Sequence, residues 1–291
     1  MKLDDCRVDG SKKFVLAKCP TSAKMDKSLK KEYLKKTAAN TQLIAELQEK
    51  LYAEKREGVI IAIQALDAGG KDSAIKHVLT GVNPQGISVA NFKAPTKTEL
   101  AHDYLWRVFQ GLPERGMIGI FNRSHYEDVM VVRAKNMRGG YAMPDRFFKG
   151  SDKAFFDARY RQIRDFEAYL YENGYRMIKI FLNLSMEEQT KRMISRIDEP
   201  KKNWKFSLDD LDNRALWDEY AQAHEKAIAA TSTPEAPWYV IPADQKWFAR
   251  WLVSEAIVKV LKDCKPQFPT VSEEDRAAML EAREKLVNGQ I

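Results

Sequence analysis

The sequence predicts an α/β protein in which a five-stranded parallel sheet is flanked by helices. Short apolar runs rich in β-branched residues alternate with helical patterns along the chain, which is the order of successive βα units. A hydrophobic content of 44% in 291 residues is also enough to bury one large core. The predicted strands are residues 59–65, 87–92, 117–121, 176–182 and 238–241.

Amphipathic spacing predicts the helices that connect and cover these strands. A long charged segment, residues 29–57, carries apolar residues at helical spacing and should form one helix on the sheet. Residues 135–153 combine glycines and a proline with weak periodicity, and they predict a loop. The other predicted helices are residues 73–79, 100–109, 155–171, 186–197, 208–229 and 247–261.

Three regions are expected along the chain. Residues 1–28 form a basic N-terminal arm, and residues 29–265 form a single domain in which residues from about 186 to 210 are a lid. Residues 266–291 form a C-terminal helix and tail, where Ser272 and Asp275 have the spacing of a capping box. This last helix is a candidate contact between subunits.

The formal net charge is +7, and its distribution indicates a polyanionic partner. Residues 1–36 contain eleven basic and five acidic residues, and residues 191–205 contain six basic and two acidic residues. The rest of the chain is therefore slightly acidic. Charge alone leaves nucleic acid, membrane lipid and polyphosphate open, and solvated lysines are an equal alternative for the arm.

Cysteine usage and hydropathy indicate a cytoplasmic protein. The three cysteines, Cys6, Cys19 and Cys264, are too few and too scattered for a disulfide framework. No stretch has the apolar length of a signal peptide or of a membrane span. We therefore expect reduced thiols, a cytoplasmic location and no membrane partner.

The strongest local motif lies between the first predicted strand and the next helix. Gly69 and Gly70 permit backbone conformations that bulkier residues avoid, so that successive amides can converge on phosphate oxygens. Lys71 can then reach the distal phosphates. Compared with the usual G-x-x-x-x-G-K-[ST] pattern, position 65 is alanine and position 72 is aspartate. Magnesium must therefore be held differently, and the nearby oxygen donors are Asp67, Asp72 and Ser73.

An ordinary strand-to-helix turn is the alternative for this motif. The apolar strand before it and the amphipathic helix after it favour a phosphate-binding loop.

A second polar run, residues 122–128, follows the third predicted strand. Open parallel sheets bind their ligands at the carboxyl ends of the strands. Arg123 would bind phosphate oxygens there, and Glu127 or Asp128 could bind a metal or orient a nucleophile. Ser124 and His125 are not expected to form a hydrolase site, because no G-x-S-x-G elbow surrounds them.

A basic lid is predicted after the fourth strand. Arg192 and Arg196 lie four residues apart on one face of the helix at 186–197, and lysines follow Pro200. A mobile basic segment of this kind could close over bound phosphates and exclude water. A solvated helix face is the alternative.

Seven stretches, in order along the chain, resemble the polyphosphate kinase 2 family. They are DAGGKD (67–72), GVNPQG (81–86), FKAP (92–95), DYLWR (103–107), FNRSHYE (121–127), KNWKF (202–206) and APWYVIPA (236–243). The similarity spans about residues 29–261 and is greatest to the class III subgroup. It implies a P-loop kinase fold of the thymidylate-kinase type with a helical lid, and Mg²⁺ dependence. The implied reaction is reversible transfer of phosphate from inorganic polyphosphate to AMP and ADP, giving ADP and ATP.

The resemblance also implies partners and residue roles. Adenine nucleotides are the implied acceptors, with guanine nucleotides as an open alternative, and a homo-oligomer, dimer or tetramer, is expected. Asp67 would bind the metal. The implied catalytic set is Asp67, Lys71, Asn122, Arg123 and Glu127. The implied phosphate and nucleotide contacts are Ala68, Gly69, Gly70, Asp72, Ser73, Lys93 and Arg133, and the lid contacts to polyphosphate are Arg192, Arg196, Lys202 and Lys205.

Asn122 stands where other classes of the family have an aspartate. Asparagine cannot take up a proton or bring a negative charge to Mg²⁺. We therefore assign Asn122 to orientation or substrate choice, and hypothesise that a neutral residue there lets both AMP and ADP be accepted.

Two other functions fit parts of the sequence. An ATP-dependent nucleoside-monophosphate kinase of the same fold would be indifferent to polyphosphate. A non-enzymatic basic protein would bind nucleic acid, but simple charge attraction does not need a phosphate loop at a strand end. Nucleic acid is therefore not the expected partner.

Overall fold

The computed structural model describes residues 1–141 and 143–290. Its centre is a six-stranded sheet in the order β1-β6-β5-β2-β4-β3. Strands β2 to β6 run parallel to one another. The short strand β1 pairs antiparallel with β6, with Arg7 opposite Tyr239. The strands are β1 (Arg7–Val8), β2 (Gly58–Ala65), β3 (Ile87–Asn91), β4 (Ile118–Asn122), β5 (Tyr175–Asn183) and β6 (Trp238–Pro242).

The parallel α/β class and its five strands are confirmed, but the sheet is mixed because of β1. The sequence prediction missed this strand because two residues carry no periodicity. The helices are α1 (Lys30–Glu54), α2 (Lys71–Val78), α3 (Lys97–Leu100), α4 (Trp106–Gln110), α5 (Glu127–Ala134), α6 (Asp145–Phe148), α7 (Asp152–Glu172), α8 (Met186–Asp198), α9 (Asp209–Ala215), α10 (Trp217–Thr231), α11 (Lys246–Cys264) and α12 (Glu273–Val287).

Three helix predictions differ from the structure. The single helix expected over 208–229 is divided at Leu216 into α9 and α10, and the helix expected over 100–109 is two short helices, α3 and α4. The loop expected over 135–153 includes α6 and the first residues of α7. Apolar spacing continues across the two helix breaks, so the pattern does not reveal them, whereas α6 is a single turn and is too short to show periodicity.

The sheet is covered on both faces, and β2 shows why its sequence is almost continuously apolar. Val59, Ile61 and Ile63 pack in one core with residues of α1, α2 and α11. Ile60 and Ala62 point to the other face, into a core that includes Phe166 of α7. Alternate residues of a strand point to opposite faces, so a strand buried on both sides needs apolar residues throughout.

One charged residue interrupts the sheet interior. Lys179 of β5 is fully buried, and its Nζ donates to Glu167 Oε2 over 2.5 Å and to the Thr231 carbonyl over 2.7 Å. Tyr126 donates its hydroxyl to the other oxygen of Glu167 over 2.7 Å. Burial alone would raise the pKa of Glu167, but Lys179 and His125 hold it below its ordinary value. The pair is thus an ionic bridge between α7 and the sheet.

The N-terminal arm is folded against the domain. Leu16 is buried, and its amide donates to Glu225 of α10 over 2.7 Å. Asn183, at the end of β5, donates to the Cys19 carbonyl over 3.1 Å. The lysines of the arm are exposed.

The helix expected near the C-terminus is present as α12, and all of its residues are exposed. Among the described helices, none combines the length and the apolar character that crossing a membrane requires.

Candidate active site

A glycine-containing turn joins the carboxyl end of β2 to the first residue of α2. Ala68 and Gly70 have left-handed backbone angles, φ +59° and φ +97°. A Cβ atom on Gly69 would lie 2.5 Å from Ala65 Cβ and 2.7 Å from the Leu66 carbonyl oxygen, closer than real contacts allow. Glycine is therefore required at position 69 by space and at position 70 by backbone conformation. We call residues 66–70 the phosphate loop.

Side chains of α8 hold the outward carbonyl groups of this loop. Gln189 donates to the Asp67 carbonyl over 3.0 Å. Arg192 donates one guanidinium nitrogen to the carbonyls of Ala68 and Gly69, over 3.2 and 3.0 Å. Its other terminal nitrogen donates to the Ala243 carbonyl over 2.6 Å, and its Nε pairs with Glu188 over 2.8 Å. The loop carbonyls are thus tied to α8 and to the end of β6.

This arrangement differs from the expected role of Arg192. Its side chain is 6% exposed and its donors are used by the protein, so it does not face the cleft in this structure. Arg196, one turn later, instead pairs with Asp210 of α9 over 2.8 Å. The two guanidinium groups do not point the same way, because each long side chain follows its own partners.

The Asp67 side chain lies at the edge of the loop. Asn213 of α9 donates to Asp67 Oδ2 over 2.7 Å. The other oxygen, Oδ1, lies 3.8 Å from a guanidinium nitrogen of Arg123. That distance is too long for a hydrogen bond, so among the described residues Oδ1 keeps its capacity to bind a ligand.

Lys71 begins α2, and its Nζ donates to the carbonyl of Ala65 at the end of β2 over 2.9 Å. Burial, and then the nearby Arg123 charge, lower the pKa of Lys71. The ammonium group is therefore held beside the loop with less solvation than a surface lysine has.

The end of β4 brings a second polar group to the same edge of the sheet. Asn122 donates its side-chain amide to Asp72 Oδ1 over 2.8 Å and to Asn91 Oδ1 over 3.0 Å. Arg123 has a left-handed backbone, φ +66°, fixed by a bond from its amide to the Ile63 carbonyl over 3.1 Å. A non-glycine residue in this conformation is uncommon and persists only where its surroundings hold the backbone in place.

Arg123 and Glu127 form an ion pair one helical turn apart, with a separation of 3.2 Å. Burial raises the pKa of Glu127, while Arg123 and Lys71 oppose the shift. With its amide nitrogen turned toward Glu127, Gln64 lies 2.9 Å from Oε1. Glu127 thus contacts protein donors on both of its oxygens.

These residues surround a cleft of about 490 Å³. Five basic and three acidic side chains line it, so the cleft has an excess of positive charge. The lining residues are Asp67, Ala68, Gly69, Gly70, Lys71, Asp72, Ser73, Asn91, Phe92, Lys93, Ala94, Asn122, Arg123, Arg196, Lys205 and Asp210.

Some of the remaining predicted site residues line the cleft, and others do not. Lys93, Arg196 and Lys205 line the cleft, whereas Lys202 pairs with Glu199 over 2.5 Å. Arg133, at the end of α5, lies over the ring of Phe156 and donates to Tyr160 over 3.4 Å. It lines neither this cleft nor the smaller cavity of about 40 Å³ behind Asp67, which is bordered by Glu127, Asn213 and His224 among others.

Several residues at the site were not predicted from the sequence. Asn213 and Gln189 hold Asp67 and the loop, and Arg250 of α11 donates to the Ser73 hydroxyl over 2.7 Å. Nothing local in the sequence marks these three residues. Lys179, in the sheet interior, did have a signal, because it is the one charged residue after Arg176 in the predicted strand 176–182.

A parallel α/β sheet with a glycine-containing phosphate loop at one strand end, and an arginine on a strained turn at the next, defines the class of P-loop kinases. The family model for polyphosphate kinase 2 matches residues 27–269. The chain belongs to this family.

Individual relatives agree with this assignment. The chain is 43% identical over 288 residues to an ADP-polyphosphate phosphotransferase of Rhodopseudomonas palustris, covering 99% of each chain. It is 47% identical over 240 residues to an AMP/ADP-polyphosphate phosphotransferase of Meiothermus ruber, covering 82% of this chain and 85% of the relative. Among solved structures, it resembles polyphosphate kinase 2 of Arthrobacter aurescens TC1 with a TM-score of 0.83 and 37% identity, covering 96% of each chain.

Proposed function

We propose that this protein reversibly transfers phosphate from inorganic polyphosphate to AMP and ADP. The observation that carries the proposal is the cleft in which Asp67, Lys71 and Arg123 meet beneath lid residues with excess positive charge. The names of the relatives, which include both AMP and ADP as substrates, support the choice of donor and acceptors.

The residues fit a role in in-line phosphoryl transfer. An oxygen of the terminal phosphate of AMP or ADP attacks the terminal phosphorus of polyphosphate, and a new P–O bond forms. The bridging P–O bond breaks, and the polyphosphate leaves one unit shorter. Lys71 and Arg123 would neutralise charge on the transferred group, and Asn122 would orient the acceptor.

Mg²⁺ fits this donor set. Magnesium in kinase sites is bound by one or two carboxylates together with substrate phosphates. Asp67 would hold it through Oδ1, and the Asn122 side-chain oxygen, which accepts no hydrogen bond from the described residues, is a further neutral ligand. When bound, Mg²⁺ would neutralise charge on the phosphates.

The segment at 186–210 would act as the lid. Arg196 and Lys205 reach the cleft from it, and Trp204 beside them is 79% exposed. Closure over bound phosphates would exclude water, which otherwise competes as an acceptor. A homo-oligomer and a cytoplasmic location stay predictions, and light scattering would measure the first.

A product assay tests the proposed function. The purified protein is incubated with Mg²⁺, polyphosphate and either AMP, ADP or GDP, without ATP at the start, and the nucleotides are separated by chromatography. We expect ADP and ATP from AMP, and ATP from ADP. If AMP were phosphorylated only after ATP is supplied, the protein would be an ATP-dependent nucleoside-monophosphate kinase.

The matched variants are Lys71→Ala and Lys76→Ala, both in α2. Lys76 is exposed and lines neither cavity. We expect Lys71→Ala to abolish transfer and Lys76→Ala to retain it. Full activity of Lys71→Ala, with an unchanged melting temperature, would show that the loop is not the phosphate site.

A further inference from the structure

Three buried residues lie between two residues of the candidate site, Arg123 and Glu127. They are Ser124, His125 and Tyr126, which follow directly in the chain after the strained turn. Buried polar groups need hydrogen-bond partners inside the protein. The segment that carries Arg123 is therefore held from the interior of the molecule.

Two of these residues contact a single carboxylate, that of Glu167 in α7. Tyr126 donates its hydroxyl to Glu167 Oε1 over 2.7 Å, and His125 Nε2 lies 3.4 Å from the same oxygen. The other oxygen, Oε2, accepts from Lys179 of β5 over 2.5 Å. Lys179 also donates to the Thr231 carbonyl at the end of α10 over 2.7 Å. The ion pair thus connects the turn after β4 to three other elements.

The third buried residue, Ser124, is held by β2. In the orientation in which its amide nitrogen faces Glu127, Gln64 accepts from the backbone amide and from the hydroxyl of Ser124, both over 3.1 Å. The Arg123 amide donates to the Ile63 carbonyl, also in β2, over 3.1 Å. Each residue from 123 to 126 therefore contacts either the sheet or Glu167.

These contacts oppose the backbone strain at Arg123. A left-handed φ of +66° at an arginine would relax if the residues around it were free to move. The guanidinium group would then leave its place 3.2 Å from Glu127 and 3.8 Å from Asp67 Oδ1. Its position at the cleft therefore depends on how firmly the following residues are held.

Stability alone does not explain a charged pair at this place. Burial removes both Glu167 and Lys179 from water, and apolar residues of similar volume often stabilise a core as well or better. Hydrogen bonds, unlike apolar contacts, also fix the direction in which a partner lies. The pair is therefore better suited to orienting Tyr126 than to stabilising the core.

We propose that Glu167 and Lys179 are positioning residues for phosphoryl transfer, which hold Tyr126 and thereby keep the Arg123 guanidinium group at the cleft. Both are buried, so they act through Arg123 and not by contact with a substrate. The inference deepens the proposed function and rests on it, because it is Arg123 that would neutralise charge on the transferred phosphate.

Removal of one oxygen atom tests this role. Tyr126→Phe keeps the ring packed against His125 and Trp238 but loses the hydrogen bond to Glu167. We expect kcat for transfer from polyphosphate to ADP to fall about tenfold, because a group that acts in the transition state is misplaced. KM for polyphosphate should change by less than about twofold. The control is Tyr169→Phe, which removes the same atom from an exposed tyrosine of α7 and should keep the wild-type kcat.

A double-mutant cycle shows whether Tyr126 acts through Arg123. Tyr126→Phe is combined with Arg123→Ala, and radiolabelled ADP makes slow transfer measurable. In this background the tenfold effect of Tyr126→Phe should shrink to less than about twofold, because the group to be positioned is absent. An equal loss of kcat in both backgrounds would overturn the inference.

An apolar replacement of the ion pair separates position from stability. The variant Glu167→Leu/Lys179→Met keeps similar side-chain volumes, and Tyr126→Phe in the same protein avoids an unpaired buried hydroxyl. We expect a urea midpoint equal to or above that of the wild type, together with a kcat that is lower by about tenfold or more. A wild-type kcat in this variant would show that the pair serves only the core.

The choice of donor separates this inference from the proposed function. If the wild type transferred no phosphate from polyphosphate, the proposed function would fail. The same cycle with ATP as the donor would then decide the inference, because it concerns the position of Arg123 and not the identity of the donor. If the wild type uses polyphosphate and Tyr126→Phe keeps the wild-type kcat, the positioning role is wrong while the function stands.

Discussion

Asn213 donates a hydrogen bond from its side-chain amide to a carboxylate oxygen of Asp67 over 2.7 Å. This contact joins α9, which follows the lid turn, to the residue that we propose holds Mg²⁺. Tyr220 of α10 supports it by donating to the Asn213 side-chain oxygen over 3.4 Å. The orientation of Asp67 therefore depends on helices that follow it by more than a hundred residues in the chain.

Removal of this contact should weaken catalysis without unfolding the protein. In Asn213→Ala, the Asp67 carboxylate loses a hydrogen bond to a charged group, and we expect kcat/KM to fall by about tenfold or more. The Mg²⁺ concentration for half-maximal activity should rise. The control, Asn288→Ala, changes an exposed asparagine near the C-terminus. An unchanged Mg²⁺ dependence in Asn213→Ala would mean that the contact does not orient the metal ligand.

Substitution of Arg192 should lower the turnover number more than it weakens binding of the polyphosphate donor. In Arg192→Lys a single ammonium group cannot serve the carbonyls of both the phosphate loop and β6, so we expect kcat to fall by about tenfold. KM for polyphosphate should change by less than about twofold, because the guanidinium group does not face the cleft. Lys191→Gln, on the exposed face of α8, is the matched control. The reverse result, a large rise in KM with kcat retained, would make Arg192 a polyphosphate ligand.

Replacement of Asn122 by aspartate should alter both metal use and acceptor choice. The amide nitrogen that now donates to Asp72 over 2.8 Å would become a second carboxylate oxygen, and the two would repel each other. Because Mg²⁺ would relieve this repulsion, we expect half-maximal activity at a lower Mg²⁺ concentration, together with a changed ratio of AMP to ADP use, both measured by chromatography across Mg²⁺ concentrations. Asn136→Asp, at an exposed position, is the control. Equal AMP and ADP preference in the variant and wild type would exclude Asn122 as a determinant.

His224 should make the protein less stable in mild acid. Burial lowers the pKa of His224 from 6.5 to about 4, against the effect of its bond to the Tyr220 carbonyl. Between these values the unfolded chain binds a proton that the folded chain does not. The stabilisation is therefore complete above about pH 6.5 and is lost as the pH falls toward 4.

Urea unfolding at pH 7 and pH 4.5 measures this effect. His224 alone should lower the free energy of unfolding by roughly 2–3 kcal/mol between these two values. His224→Phe, which retains a ring against Phe181, should lack that part of the decrease. The exposed His77 provides the control His77→Gln. If His224→Phe lost as much stability between pH 7 and pH 4.5 as the wild type does, the pKa of His224 would not be lowered by folding.

The layers of this fold could be predicted from the sequence, because a strand buried on both faces is apolar at every position. The phosphate loop could be predicted because glycine and lysine follow such a strand directly. The contacts of α8 with that loop could not be predicted, because helical spacing fixes which residues share a face and not where long side chains end. Arg192 and Arg196 illustrate this, since they share a helix face but bind carbonyls and a carboxylate in different places.

The positions at which helices are interrupted could not be predicted from the sequence pattern either. Leu216 separates α9 from α10 with φ −96° and ψ +30°, yet neither proline nor glycine marks the break. That break turns α9 so that Asn213 reaches Asp67. The least predictable detail of the backbone thus determines one of the closest contacts of the candidate metal ligand.

The pairing of β1 with β6 also constrains how the molecule is made. Residue 7 leaves the ribosome early, but its partner at residue 239 is among the last parts of the domain to emerge. Strand β1 therefore cannot dock until β6 has been synthesised, and Arg7 stays in solution while the first strands of the parallel sheet assemble. Closure of this sheet edge should therefore be a late step of folding, since contacts so distant in sequence are slow to form.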